Sequence, residues 1–297
     1  MTQIQESDTI RNLLNWAVIT LKKSNIEFPQ SDAATLLSHA LSCNTLELYT
    51  QRDKVLRETE VFACKRVVAQ RASRVPLQYI IGQTEFMSRG FTIDKRVLIP
   101  RPETEMLVER ALDLVKSGPF SDRKLIILDI GTGSGIIAVS LAIHLKESHV
   151  YASDISKESL DVAETNVKNL EVTEQVSLLK GYLFDAFDGK LRKGSVDLVV
   201  SNPPYVTETE LPCLEPEIKD HEPLRALVAA EDGLYYLKRI VNGSPEWLRS
   251  DGYLILEIGE TQAESVAQIM VHSGCFTDIQ IFQDLQKRDR IVSARRK

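Results

Sequence analysis

The sequence predicts an α/β protein in which a mostly parallel sheet carries helices on both faces and follows a small helical bundle. Up to residue 75 the apolar residues recur only at helical spacing. From residue 101 onwards, helical stripes alternate with short apolar runs rich in β-branched residues. One of these runs leads directly into a glycine-rich loop and a helix. With 297 residues and 43% hydrophobic side chains, the chain is long enough for two domains with sizeable cores.

Residues 1–75 are predicted to form a small helical domain. Three apolar stripes begin at Ile10, Ala33 and Val61, and in each of them the apolar residues are three or four positions apart. Short amphipathic helices of this kind bury their stripes against one another, which favours a bundle.

Residues 76–100 lack this periodicity. Pro76, Gly82 and Gly90 interrupt short segments there, which predicts a β-hairpin that links two domains. The remainder, residues 101–297, is then the second domain.

The second domain alternates helices and strands. Pro102 can open its first helix, because proline is tolerated at the first helical turn. Further helices are predicted at 136–145, 158–170, 234–247 and 261–272, and buried strands at 125–130, 149–154, 176–180, 196–201 and 253–258. Two more strands, at 277–282 and 290–294, are expected to lie antiparallel at one edge of the sheet.

The charge balance argues against a nucleic-acid substrate. The chain holds 36 Lys and Arg against 42 Asp and Glu, which is a net charge of -6. Residues 1–90 carry +2 and residues 91–297 carry -8. Because phosphate contacts dominate the affinity for nucleic acids, a strongly basic surface would be expected of such an enzyme.

Cysteine usage and hydropathy predict a cytoplasmic protein without a membrane segment or a metal site. The 4 cysteines form no CxxC pair and have no histidine at metal-ligand spacing. No stretch approaches the ~18 consecutive apolar residues that a membrane span needs.

The strongest local signal is the loop Gly131, Thr132, Gly133, Ser134 and Gly135, which lies between a predicted strand and a predicted helix. Glycines let the backbone turn tightly and approach a ligand closely. In the dinucleotide motif the third glycine comes three residues after the second, whereas here the glycines alternate. This spacing favours a nucleoside cofactor without a pyrophosphate, namely S-adenosylmethionine; a glycine turn needed only for packing is the alternative.

Asp154 ends the next predicted strand. A carboxylate at this position can accept hydrogen bonds from both hydroxyl groups of a ribose. The alternative is a structural role beside the helix cap at Ser156.

Asn202, Pro203, Pro204 and Tyr205 follow the fourth buried strand, at the edge of the sheet where ligands bind. The prolines stiffen the backbone, so the Asn202 side-chain oxygen and the Pro203 carbonyl can act as two fixed acceptors for one planar NH2 group. Such a nitrogen is a poor nucleophile, and catalysis would consist of aligning it with a methyl donor. Asn202 would align the nitrogen and not act as a base, and Tyr205 would pack on the planar group or in the core.

These motifs resemble the HemK/PrmC family of protein-(glutamine-N5) methyltransferases, which modify the glutamine of the GGQ motif in class I peptide chain release factors. The resemblance covers nearly the whole chain. Its segments are 76–80, Gly82, Phe86, 99–105, the glycine loop, Asp154, Asn166, 202–205, Glu222–Pro223, Ala226–Leu227, Asp232–Gly233 and 257–259.

The resemblance implies a Rossmann-like, S-adenosylmethionine-dependent methyltransferase sheet of seven strands. It implies a helical domain that helps to bind the release factor, and we expect a monomer. The glycine loop would hold the methionine part of the cofactor, Asp154 its ribose and Leu183 its adenine. Asn202 to Tyr205 would hold the substrate glutamine, with Asn202 also beside the cofactor.

The sequence departs from the family at two places. Tyr182 stands where members often carry an acidic residue, and Leu285-Gln286-Lys287 replaces a glycine-containing turn. Neither place holds a residue that we assign to the reacting groups.

Three alternatives remain at this point. A methyltransferase acting on a ribosomal-protein glutamine would share all the motifs. An adenine-N6 methyltransferase of DNA or RNA would share residues 202–205, but should bring a basic surface and a recognition segment. A binding module without activity would be indicated by loss of a loop glycine, Asp154 or Asn202, and all of them are present.

Overall fold

The computed structural model describes residues 8–118, 120 and 124–297. The chain forms two compact units: the first comprises the chain up to Gln83 together with Glu215–His221, and the second comprises Thr84–Leu214 and Glu222–Lys297. The division at residues 75 and 100 stays a prediction. The pattern of apolar residues does not indicate that residues 215–221 join the first unit.

The first unit is a helical bundle. Its core is built from the three predicted stripes and includes Leu21, Leu36 and Val68, all of which are fully buried. Two of its helices up to Gln83 are too short to show a periodic stripe, and the sequence does not predict them. The helices in that part of the chain are α1 Ile10–Lys23, α2 Pro29–Leu41, α3 Thr45–Thr50, α4 Glu58–Ala72 and α5 Leu77–Ile81.

The second unit contains the sheet. A hairpin forms between β1 (Gln83–Phe86) and β2 (Arg89–Thr92), within the segment where a hairpin was predicted. The strands that follow are β3 Leu125–Ile130, β4 Ser148–Asp154, β5 Val176–Lys180, β6 Val196–Ser201, β7 Leu248–Glu257, β8 Phe276–Gln283 and β9 Asp289–Arg296. The helices are α6 Pro102–Ser117, α7 Ile136–His144, α8 Lys157–Asn169, α9 Pro216–Lys219, α10 Tyr235–Trp247 and α11 Ala263–His272, of which α9 belongs to the first unit.

The sheet has seven strands in the order β5-β4-β3-β6-β7-β9-β8. Strands β3 to β7 run parallel, and β9 lies antiparallel between β7 and β8. The predicted seven-stranded, mostly parallel sheet with an antiparallel pair at one edge is therefore confirmed. Because the chain leaves β3 towards β4 on one side and reaches β6 on the other, a crevice is expected at the carboxyl ends of β3 and β6.

The core of the second unit lies on both faces of the sheet. Ile127 packs into an apolar cluster with residues of α6 and α7, whereas its neighbour Leu128 packs into a second cluster with residues of α10 and α11. Successive side chains of a strand point to opposite faces, so a strand covered on both sides is apolar at most of its positions. This explains why the central strands appear in the sequence as continuous apolar runs.

Ion pairs hold the segment Glu215–His221 within the first unit. Arg71 on α4 donates through Nε to Asp32 at 2.7 Å and through Nη1 to Glu217 at 2.8 Å. Arg74 contacts the other oxygen of Glu217 at 2.5 Å. Arg71 and both carboxylates are nearly buried. Removal of any one of these side chains would leave its partner charged and unpaired away from water, which would lower the stability of the protein.

None of the helices that the structure describes is both long enough and apolar enough to cross a membrane.

Candidate active site

A pocket lies at the carboxyl ends of β3, β4 and β6, where the topology predicts a crevice. Most of the residues predicted to form a site meet there. Those that line it are Gly131, Thr132, Gly133, Ser134, Asp154, Leu183, Asn202, Pro203 and Pro204. Gly135 and Tyr205 lie next to lining residues in the chain but are not part of the wall.

The loop between β3 and α7 needs glycine for its backbone conformation. Gly131, Gly133 and Gly135 have φ angles of 74°, 55° and 79°, a region that strongly favours glycine. A Cβ on Gly131 or Gly133 would meet nothing within 4 Å, but one on Gly135 would lie 3.0 Å from Cβ of Ala163 on α8. Gly131 and Gly133 therefore leave open space at the pocket, whereas Gly135 permits the close packing of α8.

Asp154 both shapes the turn after β4 and faces the pocket. Its Oδ2 accepts a hydrogen bond from Gly133 N at 2.9 Å, and its Oδ1 accepts one from Ser156 N at 2.8 Å. Burial raises the pKa of this carboxyl group, and the two N–H donors oppose that rise. Each carboxylate oxygen has a second lone pair, so the structural role does not prevent contacts with hydroxyl groups of a ligand.

Asp129, the acidic residue of β3, is a structural anchor of the glycine loop and is not among the site residues predicted from the sequence. Its fully buried Oδ2 accepts hydrogen bonds from Thr132 Oγ1 at 2.6 Å and from Ala138 N at 3.2 Å. Its Oδ1 has no partner among the described residues. Burial raises the pKa of Asp129 to about 7. An acidic residue just before the first loop glycine, in an otherwise apolar strand, is the signal that could have revealed it.

Asn202 belongs to a chain of hydrogen bonds that leads to the buried carboxyl group of Glu257. Its Nδ2 donates to Thr104 Oγ1 at 3.2 Å, and that hydroxyl donates to Glu257 Oε2 at 2.8 Å. The Tyr205 hydroxyl donates to Glu257 Oε1 at 3.4 Å. Burial raises the pKa of the Glu257 carboxyl to about 7, although the bonds from Thr104 and Tyr205 lower it. No pattern in the sequence assigns a role to Thr104 or Glu257.

Tyr205 packs among the apolar side chains on the α10 and α11 side of the sheet, and burial raises the pKa of its hydroxyl. This placement favours the core alternative for its ring.

The far wall of the pocket contains Leu183, which has a left-handed φ of 48° at the start of a 3-10 turn. The neighbouring Tyr182 also lines the pocket, and its hydroxyl donates to the Tyr235 hydroxyl at 3.2 Å. Burial, ahead of this bond, raises the pKa of Tyr182 to about 12. The residue that replaces the family's acidic side chain is thus a neutral phenol whose hydroxyl already has a partner.

Across residues 8–118, 120 and 124–297, no group of three or more His, Cys, Asp and Glu side chains is placed to hold a metal ion.

Comparison with known proteins covers both units. The family model described as the PrmC N-terminal domain matches residues 12–82, and the one described as the methyltransferase small domain matches residues 106–213. A release factor glutamine methyltransferase of Rhodopirellula baltica is 38% identical over 96% of this chain and 95% of its own length. Another, of Geobacter sulfurreducens, is 38% identical over 99% of each chain. The chain belongs to the release factor glutamine methyltransferase family.

The family resemblance inferred from the motifs is therefore confirmed. A solved structure agrees on the fold: the catalytic domain of hMettl16, in complex with the MAT2A 3'UTR hairpin 6, aligns with a TM-score of 0.53 at 15% identity. The alignment covers 82% of this chain and 84% of that chain. At this identity the likeness concerns the fold alone.

The chain is a methyltransferase, and its cofactor is S-adenosylmethionine. The residues of the pocket fit this group. Gly131 and Gly133 form a cradle with open space where side chains would stand, Asp154 offers free lone pairs to hydroxyl groups, and Leu183 adds an apolar wall.

Proposed function

We propose that this methyltransferase transfers a methyl group from S-adenosylmethionine to the side-chain amide nitrogen (N5) of the glutamine in the GGQ motif of class I peptide chain release factors. The observation that carries the proposal is the orientation of the Asn202 side-chain amide. Its NH2 group is occupied by Thr104, which leaves its oxygen as an acceptor at the pocket wall. The names of the relatives supply the class of protein substrate.

Within this proposal the cofactor is held mainly by backbone and by one carboxylate. The loop from Gly131 to Gly135 receives the methionine part, Asp154 the ribose and Leu183 the adenine. S-adenosylmethionine supplies an electrophilic methyl group on a sulfonium centre.

The substrate amide is held by two acceptors, the Asn202 side-chain oxygen and the Pro203 carbonyl. Both hydrogens of the glutamine NH2 group point at these acceptors, which aims the nitrogen at the methyl group. As the nitrogen loses planarity during attack, its N–H bonds become stronger donors, so the two hydrogen bonds strengthen in the transition state. Asn202 cannot take up a proton at neutral pH. The electron pair of the broken bond between sulfur and methyl carbon would stay on the cofactor's sulfur, and the methylated nitrogen would release its extra proton to water.

The first unit is proposed to bind the release factor. Large apolar side chains are exposed on it, among them Phe28 at 63% and Phe62 at 70%. Exposed aromatic side chains are favourable contacts for a protein partner. We further propose that the protein is cytoplasmic and that it is a monomer. A light-scattering measurement of its molar mass would test the oligomeric state.

The substrate assignment is tested by incubating the enzyme with methyl-labelled cofactor and, separately, release factor, ribosomal proteins, DNA and RNA. We expect label in the release factor alone, and none in a release factor whose GGQ glutamine is replaced. Label in ribosomal protein or nucleic acid but not in release factor would contradict the proposal.

A further inference from the structure

The hydrogen bonds around Asn202 have a single consistent direction. An amide nitrogen only donates, and a threonine hydroxyl has one hydrogen to give. Because the Thr104 hydrogen lies on Glu257 Oε2, the Thr104 oxygen presents lone pairs to the Asn202 NH2 group. Reversal of that bond would turn the amide over and direct its NH2 group away from Thr104.

Burial holds Thr104 and Glu257, at the far end of this series of hydrogen bonds, in place. Glu257 is 1% exposed and Thr104 is 2% exposed, so bulk water does not compete for their hydrogen bonds. The second oxygen of Glu257 accepts from Tyr205. An ionised carboxylate can only accept, and it therefore fixes which way the Thr104 hydroxyl points.

We infer that Glu257 and Thr104 are positioning residues that fix the orientation of the Asn202 amide, with its NH2 group on Thr104 and its oxygen towards the substrate. The inference rests on the proposed function, because it assigns Asn202 as the acceptor for the substrate amide. Neither residue touches the reacting nitrogen; both act through Asn202.

This arrangement also determines which substrates are accepted. With the observed orientation, the site offers oxygen acceptors to an NH2 group. With the amide turned over, the NH2 group of Asn202 would face the NH2 group of the substrate. Neither donor would have an acceptor, so the transition state would be bound less tightly. The buried pair Thr104–Glu257 is thus a determinant of specificity for NH2-bearing groups.

The test compares four variants: Thr104→Val, Thr104→Ser, Glu257→Leu and Glu257→Gln. Valine and leucine remove the directional hydrogen bond and serine keeps it, whereas glutamine, like a protonated carboxyl group, can also donate to Thr104. We expect kcat for release factor methylation to fall by about 10²-fold in Thr104→Val and Glu257→Leu, the size of effect seen when one transition-state donor is lost. It should stay within a few-fold of the wild type in Thr104→Ser and take an intermediate value in Glu257→Gln.

A control variant and two binding measurements separate positioning from loss of structure. Ser244→Ala removes another fully buried hydroxyl, which lies outside the site and whose hydrogen-bond partner among the described residues is Val241 O on α10. Its kcat should match that of the wild type, while its melting temperature serves as the reference for Thr104→Val. The KM for release factor and the Kd for S-adenosylmethionine should change only a few-fold in all variants.

A direct readout does not depend on activity. The side-chain amide signals of Asn202, assigned in 15N-asparagine-labelled protein by their loss in Asn202→Asp, should be protected from hydrogen exchange in the wild type. They should lose that protection in Thr104→Val and keep it in Thr104→Ser. Unchanged protection in Thr104→Val, or equal kcat losses in the valine and serine variants, would overturn the inference. Absence of release factor methylation by the wild type would overturn the proposed function instead, and the exchange result would still decide the orientation.

Discussion

Asn202 has no titratable group, so the contribution to methyl transfer that we propose for it is the direction in which its oxygen points. That direction depends on Thr104 and Glu257, which are buried behind it. A residue that aligns a substrate thus depends on partners that never contact the substrate, and their loss should lower kcat more than binding.

The pKa of Glu257 gives a prediction for the pH dependence of kcat. The groups that face this carboxyl are Thr104 and Glu103 on α6, Tyr205 after β6 and Arg290 on β9. Burial raises the Glu257 pKa to about 7, so protonated molecules predominate below that pH. A protonated carboxyl can donate to Thr104 and allow the Asn202 amide to turn over.

We therefore expect kcat to rise with pH through about 7. In Glu257→Gln, which has no titratable group there, this rise should be lost. Measurement of kcat at saturating substrates across neutral pH, for both proteins, decides the point. Parallel profiles would show that another group is responsible.

The sequence predicted only some of these site residues, for a physical reason. Asp154 and Asn202 follow buried strands, and the carboxyl ends of parallel strands meet at one edge, so their proximity could be inferred from order alone. Thr104 lies 98 residues from Asn202 and 153 from Glu257. Contacts across such separations depend on how α6 packs on the sheet, which local patterns do not specify.

Among the elements, the loop between β3 and α7 combines a ligand cradle with a packing contact. Gly135 has a φ of 79°, and a Cβ added to it would lie 3.0 Å from Cβ of Ala163. Both features penalise any side chain at this position.

Gly135→Ala should accordingly destabilise the protein by about 1–3 kcal/mol, the usual cost of a left-handed non-glycine residue plus crowding. Gly90→Ala is the matched control, because a Cβ there meets nothing within 4 Å and the backbone is not left-handed. Its effect should stay within about 0.5 kcal/mol. Urea unfolding measures both, and equal stabilities for the two variants would argue against the role of Gly135.

The elements predicted best were those with long or strongly apolar patterns. The predicted bounds of β3, β5 and β6 agree with the structure, whereas β7 begins at Leu248 instead of residue 253. Gly252 and the charged residues before it hide the start of β7 in the sequence. Helix α3 was missed for its length, although the reciprocal hydrogen bonds of Asn44 and Glu47 mark its start.

At the scale of the whole molecule, the two units correspond to different tasks in the proposed function. The second contains the complete pocket for cofactor and substrate amide. The first offers exposed apolar side chains and has no acidic net charge, which suits a protein partner. The net charge of -8 on residues 91–297 disfavours a nucleic-acid partner. The net charge of -6 thus describes mainly the catalytic unit.

The most direct test of the proposed function is to locate the methyl group on the product. Release factor is incubated with S-adenosylmethionine and wild-type, Asn202→Ala or Ser244→Ala enzyme, then digested and sequenced by tandem mass spectrometry. We predict one methyl group on the side-chain amide of the GGQ glutamine with the wild type and Ser244→Ala, and a loss of about 10²-fold or more in rate with Asn202→Ala. Methylation at another residue, or an undiminished rate in Asn202→Ala, would contradict the proposal.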